Sequence, residues 1–167
     1  CGRDDSGVSQ QIGVQLFTLR SQLQADVRKT LADVAAIGYQ EVEPFGLGGN
    51  AFVNDPFFGH SAEEFRSFLT DAGLSAPLAH NSGAAMNIAE IADLAQEIGV
   101  HHLVVGMAPD FLTYGNGEIK VTGVTGRDQV DRIAERLNRQ GEMARASGIG
   151  FAYHNHHMEF VSIGDEN

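Results

Sequence analysis

With 167 residues, 43% of them hydrophobic, the chain is long enough to bury a core of its own, and its length suggests one domain. Twenty-two acidic against eleven basic side chains give a formal charge of −11, which repels nucleic-acid phosphates and anionic lipid, and no local basic patch offsets it. No apolar run approaches the roughly 18 residues of a membrane span, and a single cysteine excludes an internal disulfide.

Residues 1–11 form a polar segment opened by Cys1 and are expected to be a flexible tether, with residues 12–167 as the folded part. Cys1 at the head of such a segment is similar to the mature end of a bacterial lipoprotein. That reading puts the protein at the cell envelope or in the periplasm, with a lipidated Cys1 as its only membrane tether. An arbitrary fragment boundary, with a cytoplasmic location, is the alternative.

A first strand is predicted over Ile12 to Phe17. From there one unit recurs: an amphipathic helix ends in Gly, an apolar residue follows, and a short strand ends in a polar group. The junctions are Gly38, Gly73, Gly99 and Gly148, where a left-handed residue can cap the helix and turn the chain into a strand. Leu23, Val27, Leu31 and Val34 line the first helix, and Phe65, Phe68, Leu69 and Ala72 the second. Ile88, Ile91, Ala95 and Ile98 line the third, and Val130, Ile133, Ala134 and Leu137 the fourth. Ser61 with Glu64 predicts a capping box at the start of the second helix. The order β-α-β-α-β-α-β-α-β implies about five parallel strands with four crossover helices. A dinucleotide fold would need a Gly-rich turn directly after the first strand, but that strand runs into Phe17-Thr18-Leu19-Arg20. Gly46 to Asn50 follows the second strand and reads as a flexible loop. A partial (β/α)8 TIM barrel is therefore the expected fold class.

Barrel chemistry sits at the C-terminal strand ends, so the last inward-facing residues are the candidates. The second strand, Gln40 to Glu43, ends in Glu43, and the third, Ala76 to His80, ends in His80. Along a fifth strand from Gly150 to His156, side-chain alternation puts Gly150, Ala152, His154 and His156 on the inner face, with Phe151, Tyr153 and Asn155 on the other. Two imidazoles on one face suit a divalent metal or proton transfer near neutral pH. Glu43, His80 and His156 are the catalytic candidates, and His154 with Glu159 the metal-binding ones. Gln15 also faces inward. His101 and His102 fall at the opposite, stabilising end, and His60 falls where the second helix begins. The long segment from Ala108 to Gly126 is a candidate lid.

Three stretches, Ile12-Gly13-Val14-Gln15-Leu16-Phe17-Thr18-Leu19-Arg20, Gly38-Tyr39-Gln40-Glu41-Val42-Glu43 and Tyr153-His154-Asn155-His156-His157-Met158-Glu159-Phe160, together resemble the sugar phosphate isomerase/epimerase family of xylose-isomerase-like barrels. The resemblance runs from about Ile12 to Phe160. It implies a (β/α)8 barrel, a small-molecule sugar substrate, a divalent ion (Mn, Mg, Zn or Co) in the barrel mouth, and proton transfer beside a sugar carbonyl. In many relatives the ion is held by Glu, Asp, His and Glu on the fifth to eighth strands, and His154 stands where the first Glu would be. That departure leaves open a lyase or hydrolase acting on 3-keto-glycosides. A non-catalytic carbohydrate-binding lipoprotein and an endonuclease-IV-like repair barrel are further alternatives, the latter disfavoured by the charge. A barrel closes with eight strands and typically about 250 residues, so five strands are expected to leave edges open and these 167 residues inactive by themselves.

Overall fold

The computed structural model describes residues 11–49, 55–81, 87–115 and 118–163. Cys1 and nearly all of the expected tether lie outside them. Strands β1 (Gly13–Gln15) and β2 (Glu41–Glu43) pair in parallel, as do β3 (Leu78–Asn81) with β4 (His102–Val105) and β4 with β7 (Gly150–Tyr153). Two parallel bridges, Glu41 to Ser75 and Leu47 to Asn81, join the two groups. Five parallel strands thus lie side by side in chain order. A doubly wound sheet reverses its strand order at a switch point, whereas an uninterrupted order is the arc of a barrel.

Helices α2 (Val27–Ile37), α3 (Ala62–Ala72), α4 (Ile88–Glu97) and α5 (Arg127–Ala146) make the crossovers, and each packs against the next in sequence. Their apolar stripes meet the outward side chains of the strands. Leu31, Phe65, Ala92, Ala95, Val100 and Leu103 are fully buried there. Burying one large side chain of this kind contributes roughly 1.5–3 kcal/mol, so this layer carries the fold. All four junction glycines adopt positive φ, between 72° and 113°, as their place after the helices requires. Ser61 and Glu64 form the reciprocal capping box, with Glu64 N donating to Ser61 Oγ at 3.1 Å and Ser61 N to Glu64 Oε2 at 2.9 Å.

Several expectations are corrected. The first helix is two: α1 (Arg20–Ala25) stops at Asp26, whose extended backbone and side-chain bond from Lys29 N, 2.8 Å, cap α2. The first strand is shorter than expected, because residues 16–19 form a 3-10 turn. In α5 the buried positions are Ile133, Gln140 and Ala144, while Ala134 is exposed. The start of the Gly-rich loop is packed rather than loose: Leu47 is fully buried, and its N–H donates to the His80 carbonyl at 3.3 Å, prolonging β2 beside β3. The candidate lid holds an antiparallel hairpin, β5 (Leu112–Gly115) with β6 (Glu118–Val121). Its base is anchored by a second apolar cluster of Ala108, Phe111, Ile133 and Met158, and by an Arg136–Asp110 ion pair of 3.2 Å.

Candidate functional site

The parallel register dictates which side chains meet at the rim. Gln15 lies opposite Glu43 in the β1–β2 pair, and His80 opposite Val104 in the β3–β4 pair. Gln15, Glu43 and His80 therefore project inward at adjacent strand ends, and they converge. The ring of His80 is hydrogen-bonded through Nδ1 to the Glu43 carboxylate, both side chains being about four-fifths buried. The Gln15 amide nitrogen lies 2.8 Å from His80 Nδ1 and 3.3 Å from Nε2. With Nδ1–H donating to Glu43, the ring's one acceptor is the Nε2 lone pair, and the Gln15 amide, which lies nearer Nδ1, can donate only there. Glu43 thereby holds His80 in the tautomer whose Nε2 can take up a proton.

The far side of the site comes from the end of β7. That strand stops at Tyr153, three residues short of the expected limit, although His154 N still donates to the Val105 carbonyl at 2.9 Å. The chain then turns through a 3-10 segment at Met158–Phe160. His154 and His156 nonetheless lie together, with ring centroids 4.8 Å apart, and His154 meets the ring of His80 edge-on at 5.0 Å. Phe151 packs outward onto the core, as alternation requires. Burial, and then the neighbouring imidazoles of His80 and His156, lower the proton affinity of His154 below the ordinary imidazole value, outweighing the attraction of Glu43 and Glu159.

Glu159 closes the arrangement from below. One of its oxygens accepts a hydrogen bond from the Tyr153 hydroxyl, and the other accepts from His156 N–H at 2.8 Å. Burial by itself would raise the pKa of Glu159, but these two donors outweigh it and hold the carboxyl below its usual range. Burial, followed by the bond to Glu159, pushes the Tyr153 phenol well above an ordinary tyrosine. His156 Nδ1 is buried and has no hydrogen-bond partner among the described residues.

The five predicted site residues thus fall into two sets. Glu43, His80, His154 and His156 share one polar rim, whereas Glu159 faces Tyr153 and the backbone. Among the described residues no three His, Cys, Asp or Glu side chains are placed to hold a metal ion. With both Glu159 oxygens engaged and Glu43 bonded to His80, the donors present do not by themselves fit the expected metal. His102 lies at the opposite end of β4, its ring over Gly150, where an added Cβ would come within 2.1 Å of Cδ2. His101 is exposed beside it, and His60 stacks edge-on against Phe68 at 4.9 Å at the start of α3. The sequence reading did not find Gly106. A Cβ there would lie 2.9 Å from both Cδ2 and Nε2 of His80, so only glycine leaves room for that ring where it lies. A Gly one residue past a strand end was the available signal.

The chain matches the family model described as Xylose isomerase-like TIM barrel over residues 31–167. It belongs to that family. Among solved structures it is similar to a sugar phosphate isomerase/epimerase from Parabacteroides distasonis ATCC 8503, with a TM-score of 0.72 and 22% identity over 99% of this chain and 58% of that one. It also resembles a xylose isomerase-like TIM barrel protein from Mycobacterium smegmatis in complex with magnesium, with a TM-score of 0.58 and 18% identity over 87% of this chain and 55% of that one. L-ribulose 3-epimerase gives a TM-score of 0.58 and 19% identity over 84% of this chain and 48% of that one. At such identities the likeness shows the fold. The 167 residues span a little over half the length of the first two structures. No curated protein matches the sequence.

Proposed function

We propose that the protein is a sugar isomerase or epimerase that moves a proton at the carbon beside a sugar or keto-sugar carbonyl, with the Glu43–His80 pair as its base. The observation that carries this reading is the bond from His80 Nδ1 to Glu43 in a largely buried strand-end site. Nε2, once the substrate displaces the Gln15 amide from its lone pair, takes the proton from the carbon, the Glu43 carboxylate stabilises the imidazolium that forms, and the electron pair moves onto the carbonyl oxygen as an enediolate. His154 and His156, on the other side of the site, offer ring nitrogens to sugar hydroxyls. His154 stays neutral to lower pH than an ordinary imidazole and so can accept as well as donate. Any divalent ion requires ligands beyond the described set, and no step here is assigned to one.

The test is deuterium uptake from D2O into keto-hexoses by the full gene product, with Mg or Mn added and then chelated. Exchange is expected with at least one sugar, and Glu43→Gln or His80→Asn is expected to slow it by about 10²- to 10⁴-fold. Absence of exchange with every keto-hexose, together with no bound divalent ion, would sink the proposal. A second reading is a lyase acting on 3-keto-glycosides. It is favoured by the rim's holding one carboxylate, Glu43, since Glu159 turns away from it. Release of the aglycone, in place of an epimeric sugar, separates the two.

A further inference from the structure

Glu159 lies near the rim but does not face it. Its two oxygens take up the Tyr153 hydroxyl, at the last residue of β7, and the backbone N–H of His156, in the turn that follows. The 3-10 segment Met158–Phe160 carries Glu159 back beneath that turn, and Met158 at its head is buried in the apolar cluster with Phe111 and Ile133. Both ends of the clamp are thus anchored, one in the sheet and one in a core. Between them lie His154 and His156. Without the carboxylate, the N–H of His156 and the phenol would each need another acceptor.

We infer that Glu159 is a positioning residue: by bridging Tyr153 and the His156 amide it fixes the post-strand turn so that the His156 ring stays beside that of His154, with 4.8 Å between centroids. The role requires a carboxylate, because two donors approach two oxygens. A glutamine keeps the shape but not the charge: its one oxygen is a weaker acceptor for the His156 amide, and its amino group can only donate to the Tyr153 hydroxyl, reversing that bond. An aspartate is one methylene too short to span both. The inference concerns the geometry of the same rim and rests on the proton-transfer reading only for its effect on turnover.

The experiment reads geometry and turnover separately. In the wild-type chain, a through-hydrogen-bond scalar coupling between His156 amide 15N and Glu159 carboxyl 13C is expected, and its absence alone overturns the inference. In Glu159→Gln, amide exchange at His156 is expected to accelerate by at least about tenfold, with the His156 imidazole resonances displaced and those of His80 unchanged. Tyr153→Phe, which leaves the carboxylate on the amide, is expected to keep His156 exchange within about twofold of wild type. Unchanged His156 signals in Glu159→Gln, or equal displacement of His80, would assign Glu159 a merely general structural role. Turnover is read with D-fructose, D-psicose and D-tagatose on the full gene product, where Glu159→Gln is expected to lower kcat more than it raises KM. A displaced His156 with no exchange in any of these sugars removes the sugar reading while the clamp stands. Exchange at the wild-type kcat in Glu159→Gln removes the clamp's role in turnover while the sugar reading stands.

Discussion

Gly106 shows how a single missing methyl group shapes the rim. It lies one residue beyond β4, under the imidazole that β3 projects across it, and a Cβ at 2.9 Å from two ring atoms would push His80 out of place. Gly106→Ala is therefore expected to lower the deuterium-exchange kcat by at least about tenfold, with little change in KM, because it displaces a proton-transfer group without removing it. Overpacking a close contact of this kind also costs about 1–3 kcal/mol, which thermal melting would register. A variant with wild-type exchange would show that the ring relaxes without consequence. Glu43, His80, His154 and His156 were legible in the sequence because strand alternation and a strand-end location suffice to nominate them. Gly106 was not, since its role depends on which neighbouring side chain crosses it. Neither was the posture of Glu159: spacing put it near the histidines, and only the turn after Tyr153 aimed it away from them.

The elements followed local chemistry wherever that chemistry is strong. The Ser61–Glu64 box was read from the sequence and is present with both of its bonds. Ser61→Ala removes the acceptor for Glu64 N and is expected to cost about 1 kcal/mol. In a domain of this size that lowers Tm by about 2–4 °C, whereas Ser67→Ala, on the exposed face of the same helix, should change it less. An equal shift in both variants would count against the cap as the cause. The break at Asp26 was missed because the apolar stripe runs unbroken through Leu23, Val27 and Leu31, and all three are buried on both sides of the kink. Hydrophobic periodicity tolerates such a break, and the N-cap decides it. The β5–β6 hairpin was read only as a long loop, although the Asn-Gly pair in that stretch of the sequence is a hairpin signal in its own right.

For the whole molecule, the charge and the open inner face matter most. A formal charge of −11 makes the chain as a whole unsuited to a polyanion. Fluorescence anisotropy with a short DNA duplex is expected to show no salt-dependent binding between about 50 and 200 mM salt, and a steep negative salt slope would return the repair-enzyme alternative to contention. The inner face of the arc is lined by Leu78, exposed to 37%, and by an exposed Ala152, positions that a closed barrel packs with opposing side chains. The sequence by itself determined the repeating unit, its glycine junctions, the outward apolar layer and the identity of the polar strand ends. Each of these is set by short-range conformational preference or by burial periodicity, which a linear string displays. The tertiary structure alone decided that His80 bonds Glu43, that Gly106 must lack a side chain, and that Glu159 turns toward Tyr153. Those contacts join residues on different strands or across a turn, so they depend on register and packing.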